Sequence, residues 1–373
     1  MPFDRPQENV PLAPLTTLGI GGQARWFARA TSIEHVIAAH GWAASRSAPL
    51  FVLGGGSNLV IADEGFDGLV LQVAISGVRA LLGGDVVSVA AGAGESWDAL
   101  VEFAVRRGLA GIECLSGIPG TVGGTPIQNV GAYGQEVSTV IEWVDAFDRV
   151  TQGTVRLSQA ECGFAYRMSR FKRQDAGRFV ICEVALRLRA GAPPTLTYPD
   201  VVEHLSKQDI ASPDVRAVRE AVLSVRRRKG MVIDAADPDT RSVGSFFMNP
   251  VVDRAQLERV ASTSGADLSS RGADLSGPRV PHFVMQNDQV KIPAAWLIEQ
   301  SGFGRGHVDG AVGLSTKHPL AIINRGGATA RDVIRFARRI KSTVVDRFGI
   351  ALRPEPVFVG FNSDDADVTF LTS

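Results

Sequence analysis

The feature that most narrows what this chain can become is the glycine-rich run between Ser116 and Gly134, SGIPGTVGGTPIQNVGAYG. Gly117, Gly120, Gly123, Gly124, Gly131 and Gly134 lie within it. Glycine loses more conformational freedom on ordering than any other residue, so such a run is a poor helix or strand. It suits tight turns, or a backbone that must come close to a ligand. A second cluster, Gly54-Gly55-Gly56-Ser57-Asn58, directly follows the apolar strand candidate Leu50–Leu53. Successive N–H groups unobstructed by Cβ atoms can form a nest for a pyrophosphate. Gly and Asn equally suit an ordinary strand-to-strand turn, since both tolerate positive φ. Two such turns in one body favour a large phosphate-bearing cofactor, with Gln128 and Asn129 able to bond ring heteroatoms. The run Gly19-Ile20-Gly21-Gly22-Gln23-Ala24 fits the loose G-x-G-x-x-A fingerprint. That fingerprint needs a strand before it. Here Pro2, Pro6, Pro11 and Pro14 precede it, which argues against a Rossmann unit. The phosphate-binding pattern G-x-x-x-x-G-K-[ST] does not occur.

Composition removes several classes. Lys plus Arg and Asp plus Glu both total 39, giving a formal net charge of zero. A dedicated nucleic-acid binder would need a basic excess to neutralise phosphates. With 373 residues, 45% of them hydrophobic, the chain can build two or three cores. Cys114, Cys162 and Cys182 are too few and too scattered for a disulfide framework or a zinc site, and read as free thiols in a reducing compartment. His35, His40, His204, His282, His307 and His318 show no metal-ligand spacing, so no metal is expected. No apolar run is long enough to span a bilayer. Met1 to Gln7 carries Pro2 and Pro6 and has no hydrophobic signal region, so a cytoplasmic protein is expected.

Residues 1 to 18 read as an extended lead-in. Residues 32 to 45 predict a helix capped by Ser32, and Ser96 to Arg107 another capped by Ser96. Strands are expected at Leu50 to Leu53, Leu59 to Ala62, Gly68 to Val73, Asp85 to Ala90, Val137 to Phe147, Thr154 to Leu157 and Arg178 to Leu188. The next helix, Ser212 to Arg228, has Ser212 at the cap and Pro213 in the first turn. Gly230 to Arg241 is a polar loop. A long helix is expected from about Ala330 to Phe348, followed by a loose tail over the last 13 residues. No internal repeat is found.

The glycine clusters resemble the flavin-binding half of the UDP-N-acetylenolpyruvoylglucosamine reductase family. The resemblance continues through Tyr166-Arg167-Met168-Ser169-Arg170-Phe171-Lys172, Leu196-Thr197-Tyr198 and Gly244-Ser245-Phe246-Phe247-Met248-Asn249-Pro250. It reaches Lys291-Ile292-Pro293-Ala294-Ala295-Trp296-Leu297-Ile298-Glu299-Gln300 and ends at Pro354-Glu355-Pro356-Val357. It implies an α+β fold: a two-lobed FAD-binding domain of the vanillyl-alcohol-oxidase/PCMH type and a C-terminal α+β substrate-binding domain. The implied domains are 15–190 for FAD, with lobes of about 15–75 and 76–190, then a connecting segment 191–240 with a tyrosine loop and helix. Residues 241–350 form the substrate domain, and 351–373 return to the FAD domain before the tail. The implied reaction is reduction of the enolpyruvyl ether of a UDP-sugar to UDP-N-acetylmuramate, with NADPH as co-substrate and non-covalent FAD.

The resemblance also assigns roles. Gly54, Gly55, Gly56, Ser57, Asn58, Ile118, Pro119, Gly120, Gly123, Gly124, Gln128, Asn129, Gly131, Ala132, Tyr133 and Ile181 match FAD-binding positions. Arg167, Ser245 and Glu355 match the catalytic arginine, proton donor and glutamate. Tyr198, Lys229, Asn249 and Lys291 match substrate-binding positions. The chemistry fits these types: hydride addition builds charge beside a carboxylate, which needs preorganised cations and donors and then a proton. The chain departs from the pattern at Met168, where an acid is expected, over Gly230 to Arg241, and over Gly302 to Ser315. The expected partners are a UDP-sugar and no nucleic acid or membrane, for a monomer. Two rivals remain. An oxidase or dehydrogenase on the same cofactor fold would not need Ser245, Asn249 and Glu355. A non-catalytic nucleotide sensor would lack Arg167, Ser245 or Glu355.

Overall fold

The computed structural model describes residues 5–266, 279–285 and 288–373. By its contacts the chain divides into two compact units. The first holds residues 1–11, 23–56 and 66–233; the second holds 12–22, 57–65 and 234–373.

The first unit contains two sheets. One has the order Gln7–Pro11, Gln23–Ala30, Phe66–Val73, Leu50–Leu53; its outer pair is antiparallel and the rest parallel. The lead-in expected to be merely extended is therefore an edge strand, and its proline closes the strand at Pro11, where a missing N–H is tolerated. The other sheet runs Gly153–Ser158, Ile141–Asp148, Phe179–Ala190, Val86–Gly92, Val78–Gly83, antiparallel throughout. Phe179–Ala190 sits inside it and buries Val180, Ile181, Val184, Leu186 and Leu188. The two sheets share one core, in which Leu69 and Leu71 join Val87, Val89 and Val184. The helices Ile33–Ala44 and Trp97–Arg106 are capped by Ser32 and Ser96 as expected. The strand expected from Val137 begins only at Ile141, because Val137–Thr139 forms a 3₁₀ turn. The helix expected from Ser212 runs Val215–Arg228 and is capped by Asp214, whose carboxylate accepts from the Ala217 N–H at 2.8 Å. Asp outcompetes the earlier Ser because it stands immediately before the first periodic apolar residue.

The second unit is built round the helix Ala330–Phe348. Thr329 and Asp332 form a reciprocal capping box at its start. Val333, Ile334, Phe336, Ala337, Ile340 and Val344 enter a core with Leu18, Ile20, Val60, Phe246 and Leu297. The final residues are not a loose tail. Ala366–Thr372 is a helix started by Asp365, with Leu371 fully buried. Lys341 donates to the carbonyls of Phe370, Leu371 and Ser373 at 2.7, 3.0 and 3.0 Å, satisfying the acceptors a helix end leaves unpaired. The strand Val357–Val359 runs parallel to Leu59–Ile61. Among the described residues, no helix is long and apolar enough to cross a membrane.

Candidate active site

In the first unit the two glycine clusters lie back to back. A Cβ on Gly55 would stand 2.7 Å from the Gly120 Cα, and one on Gly54 would stand 2.9 Å from Thr121 Oγ1. A Cβ on Gly123 would meet that of Ala93 at 2.7 Å. The bareness of these three positions thus serves close chain packing. Gly124 differs: a Cβ there meets no atom within 4 Å, and the short helix Gly124–Gln128 begins at it. The loop backbone is fixed from behind. Trp97 N–H donates to Gly120 O at 3.1 Å, Val122 N–H to Glu95 O at 2.9 Å and Gly123 N–H to Ala93 O at 2.9 Å. Gly117, at φ +71°, donates its N–H to Asp98 Oδ1 at 2.6 Å. Arg219 forks onto the same carboxylate at 2.6 and 2.9 Å. Burial opposes the Asp98 charge, but Arg219 and the Gly117 N–H outweigh it and hold the carboxyl below its usual range.

The downstream half of the glycine-rich run is held by its own side chains. Asn129, in the left-handed region at φ +43°, is buried. Its amide donates to Glu136 at 3.1 Å and to Ala165 O at 2.9 Å, and accepts from Ser138 N–H at 3.2 Å. Its side chain is therefore spent inside the fold. Gln128 accepts from Lys172 Nζ at 2.7 Å. Arg167 stands at φ +53° in a turn where Ala165 and Met168 exchange backbone hydrogen bonds, and its guanidinium donates to Gly131 O at 2.6 Å. Ser169 Oγ donates to Ile127 O at 2.8 Å, so the Tyr166 to Lys172 block is pinned to the glycine-rich run. Ile181 lies buried on the inner strand.

Tyr133 meets Tyr198 edge to face, with centroids 5.0 Å apart. Tyr198 precedes the helix Pro199–Ser206, whose first-turn Asp200 accepts from Lys229 Nζ at 2.6 Å. Lys229 Nζ lies 5.9 Å from the Tyr198 ring. Burial works against the Lys229 charge, but Asp200 and the two tyrosines outweigh it, and the ammonium is held above the ordinary lysine range. Burial pushes the Tyr133 hydroxyl up. Arg226, almost fully buried, donates to Gly117 O at 3.2 Å and Met231 O at 2.7 Å; burial pulls its guanidinium down. Tyr133, Tyr198 and Lys229, assigned separately in the sequence, are thus neighbours. Asp98, Asp200, Arg219 and Arg226 were missed. Only the Tyr198-Pro199-Asp200 order, a helix-start signal, could have drawn attention to one of them.

In the second unit, Ser245 is half-buried between Gly244, at φ +74°, and the fully buried Phe246 and Phe247. Glu355 N–H donates to Phe246 O at 2.8 Å, and Met248 N–H to Arg353 O at 2.9 Å. Ser245 and Glu355, 110 positions apart in sequence, therefore stand on paired segments. Asn58 Nδ2 donates to Glu355 O at 3.2 Å, and Val357 N–H to Asn58 O at 3.0 Å. Asn249 Oδ1 accepts from Ala294 N–H at 2.9 Å, at the start of the helix Ala294–Gln300. Lys291 pairs with Val251 and Phe283 in a small sheet, its ammonium 5.4 Å from the Phe283 ring. The divergent Gly230 to Arg241 segment is tied down by Asp239, which accepts from Thr316 N–H at 3.0 Å and Thr316 Oγ1 at 2.5 Å.

An FAD binding domain family model matches residues 24–157. A model of the UDP-N-acetylenolpyruvoylglucosamine reductase C-terminal domain matches residues 237–359. The chain is 47% identical to the UDP-N-acetylenolpyruvoylglucosamine reductase of Thermobifida fusca, covering 94% of this chain and 97% of that one. It is 47% identical to the enzyme of that name from Mycobacterium tuberculosis, covering 95% of each. The solved UDP-N-acetylenolpyruvylglucosamine reductase from Thermus caldophilus superposes with a TM-score of 0.64 at 25% identity, over 95% of this chain and 99% of that one. At 47% identity over 94% of its length, with both family models matched, the chain belongs to the UDP-N-acetylenolpyruvoylglucosamine reductase family.

Proposed function

We propose that this FAD-dependent oxidoreductase reduces UDP-N-acetylglucosamine enolpyruvate to UDP-N-acetylmuramate, at the expense of NADPH, in peptidoglycan precursor synthesis. The pairing of the Ser245 segment with Glu355 carries the reading, because it joins the two motifs an oxidase would not need. FAD held by the glycine turns would supply, from NADPH, the hydride for the β-carbon of the enolpyruvyl ether. The Ser245 hydroxyl then gives its proton to the α-carbon, while the Arg167 guanidinium meets the substrate carboxylate and Glu355, acting as a hydrogen-bond donor, stabilises the enolate-like charge. Tyr198, Lys229, Asn249 and Lys291 bind the UDP-sugar. Gly54 to Asn58, Ile118 to Gly124, Gln128 to Tyr133 and Ile181 hold FAD. The residues fit the cofactor: a glycine turn braced from behind, with the Cβ side of Gly124 bare, accommodates a bulky anionic ligand. For Asn129 the contact falls to its backbone.

We take 15–190 to serve FAD, 191–240 to connect, 241–350 to bind substrate and 351–373 to return to the FAD domain, a functional division that cuts across the two contact units. The working form is a cytoplasmic monomer with no nucleic-acid partner. The first test is the visible spectrum of the purified protein and of its supernatant after denaturation. Flavin released into solution, followed by NADPH-driven turnover of the enolpyruvyl UDP-sugar, supports the reading. Flavin retained on the precipitated chain favours an oxidase on the same fold. A colourless protein that refuses added FAD defeats both.

A further inference from the structure

Glu355 and Phe246, the residue after Ser245, are held by a line of backbone hydrogen bonds that continues beyond them. Glu355 N–H donates to Phe246 O at 2.8 Å; Phe246 N–H donates to Leu320 O at 2.8 Å. The next member is a side chain: Leu320 N–H donates to His318 Nδ1 at 3.1 Å. The turn that carries this imidazole is tightly specified. Ser315, fully buried, accepts through Oγ from Lys317 N–H at 3.0 Å and His318 N–H at 3.2 Å. Ser315 N–H donates to Ala321 O at 2.9 Å, and Ala321 N–H to His318 O at 3.2 Å.

We propose that His318 is a positioning residue for the Ser245–Glu355 pair, acting by closing the Ser315 to Ala321 turn that presents the Leu320 carbonyl to Phe246. The inference rests on the catalytic roles proposed above for Ser245 and Glu355. The physical form of the contact is that of an Asx turn, in which a side-chain acceptor takes the N–H two residues on. Here an imidazole nitrogen stands where an Asn oxygen would, and Pro319 lies between. Because Nδ1 accepts, a ring proton belongs on Nε2. Each contact places the next residue: the His318 acceptor sets Leu320, Leu320 O sets Phe246, and Phe246 O sets Glu355. Phe246 and Phe247 are fully buried and anchor the segment laterally, but they do not set its position along the line.

The test uses the flavin-loaded enzyme and follows the two half-reactions separately by flavin absorbance. His318→Asn keeps the acceptor within reach of the Leu320 N–H. His318→Gln carries it one methylene too far, and His318→Phe keeps the ring without it. Phe and Gln are expected to slow flavin reoxidation by the enolpyruvyl UDP-sugar roughly 10- to 100-fold, the scale of a sub-ångström to 1 Å misplacement of reacting groups. Reduction by NADPH should stay within about twofold, and Asn should restore reoxidation to within about threefold. The inference is overturned if Asn is as slow as Phe and Gln, if both half-reactions fall together, or if Phe reoxidises normally. Should the Phe protein fail to load flavin, the Asn and Gln pair decides alone. A wild-type enzyme that does not reduce the UDP-sugar at all would instead overturn the functional reading, and this inference with it.

Discussion

At the scale of single residues, three glycines separate packing, backbone strain and ligand approach. Gly134 sits at φ +87°, and a Cβ on it would fall 2.0 Å from Thr197 Oγ1. Gly134→Ala should cost at least about 2 kcal/mol in denaturant unfolding, from left-handed strain plus the clash. It should also raise KM for the UDP-sugar, since Thr197 adjoins Tyr198. Gly191→Ala, at φ +63° with nothing within 4 Å, should pay only the strain of roughly 1–2 kcal/mol. Gly124→Val should leave the unfolding midpoint of the flavin-free protein nearly unchanged and weaken FAD retention, because its Cβ meets no protein atom within 4 Å. Fully flavinated protein would count against placing the cofactor there. Ser245→Ala should spare reduction by NADPH and slow reoxidation by several orders of magnitude; an equal fall in both would refute the proton-donor role. The residues behind these assignments were legible because they sit in contiguous motifs. Asp98, Arg219 and His318 were not, since each acts on a partner that only the folded chain brings near, and nothing in their own neighbourhood announces it.

Among the elements, those with a cap and a stripe were read well and those defined by a partner were not. Ser32 and Ser96 stood before periodic apolar residues and cap the helices expected there. The helix Arg254–Ser264 has a weaker stripe and was not anticipated, although Asp253 caps it. The helix Ala366–Thr372 carries little sequence signal of its own because its stability is borrowed: Arg331 pairs with Asp365, Arg338 with Asp367, and Lys341 gathers the terminal carbonyls. Lys341→Met should therefore leave those carbonyls unpaired and cost about 1–3 kcal/mol in denaturant unfolding. A variant as stable as wild type would mean the helix holds by Leu371 alone. Burial, aided by Arg353, pulls the Lys341 ammonium below its usual range, which fits a charge held in the interior by carbonyl oxygens.

Across the whole molecule, the three thiols report on both the core and its pH limits. Burial pushes Cys114 and Cys162 up to about 12 and Cys182 up to about 11. In the unfolded chain they ionise near 8.5. The unfolded state thus sheds protons first, and stability present below about pH 8.5 should decline as pH rises towards 11 to 12. Urea midpoints that do not move between pH 8 and 10.5 would disprove this. Thiol reagents should label the native protein slowly and the denatured one at once. The division of the chain has a consequence for how it is made. Leu18, Ile20 and Val60 are buried only in the second core, whose other members, from Val243 to Leu371, lie far downstream. A ribosome releases them early and must add most of the protein before their partners exist. At ordinary elongation rates that interval is on the order of ten seconds or more. During it these apolar side chains are presented to water, which leaves the nascent chain, rather than the finished enzyme, the form most open to aggregation.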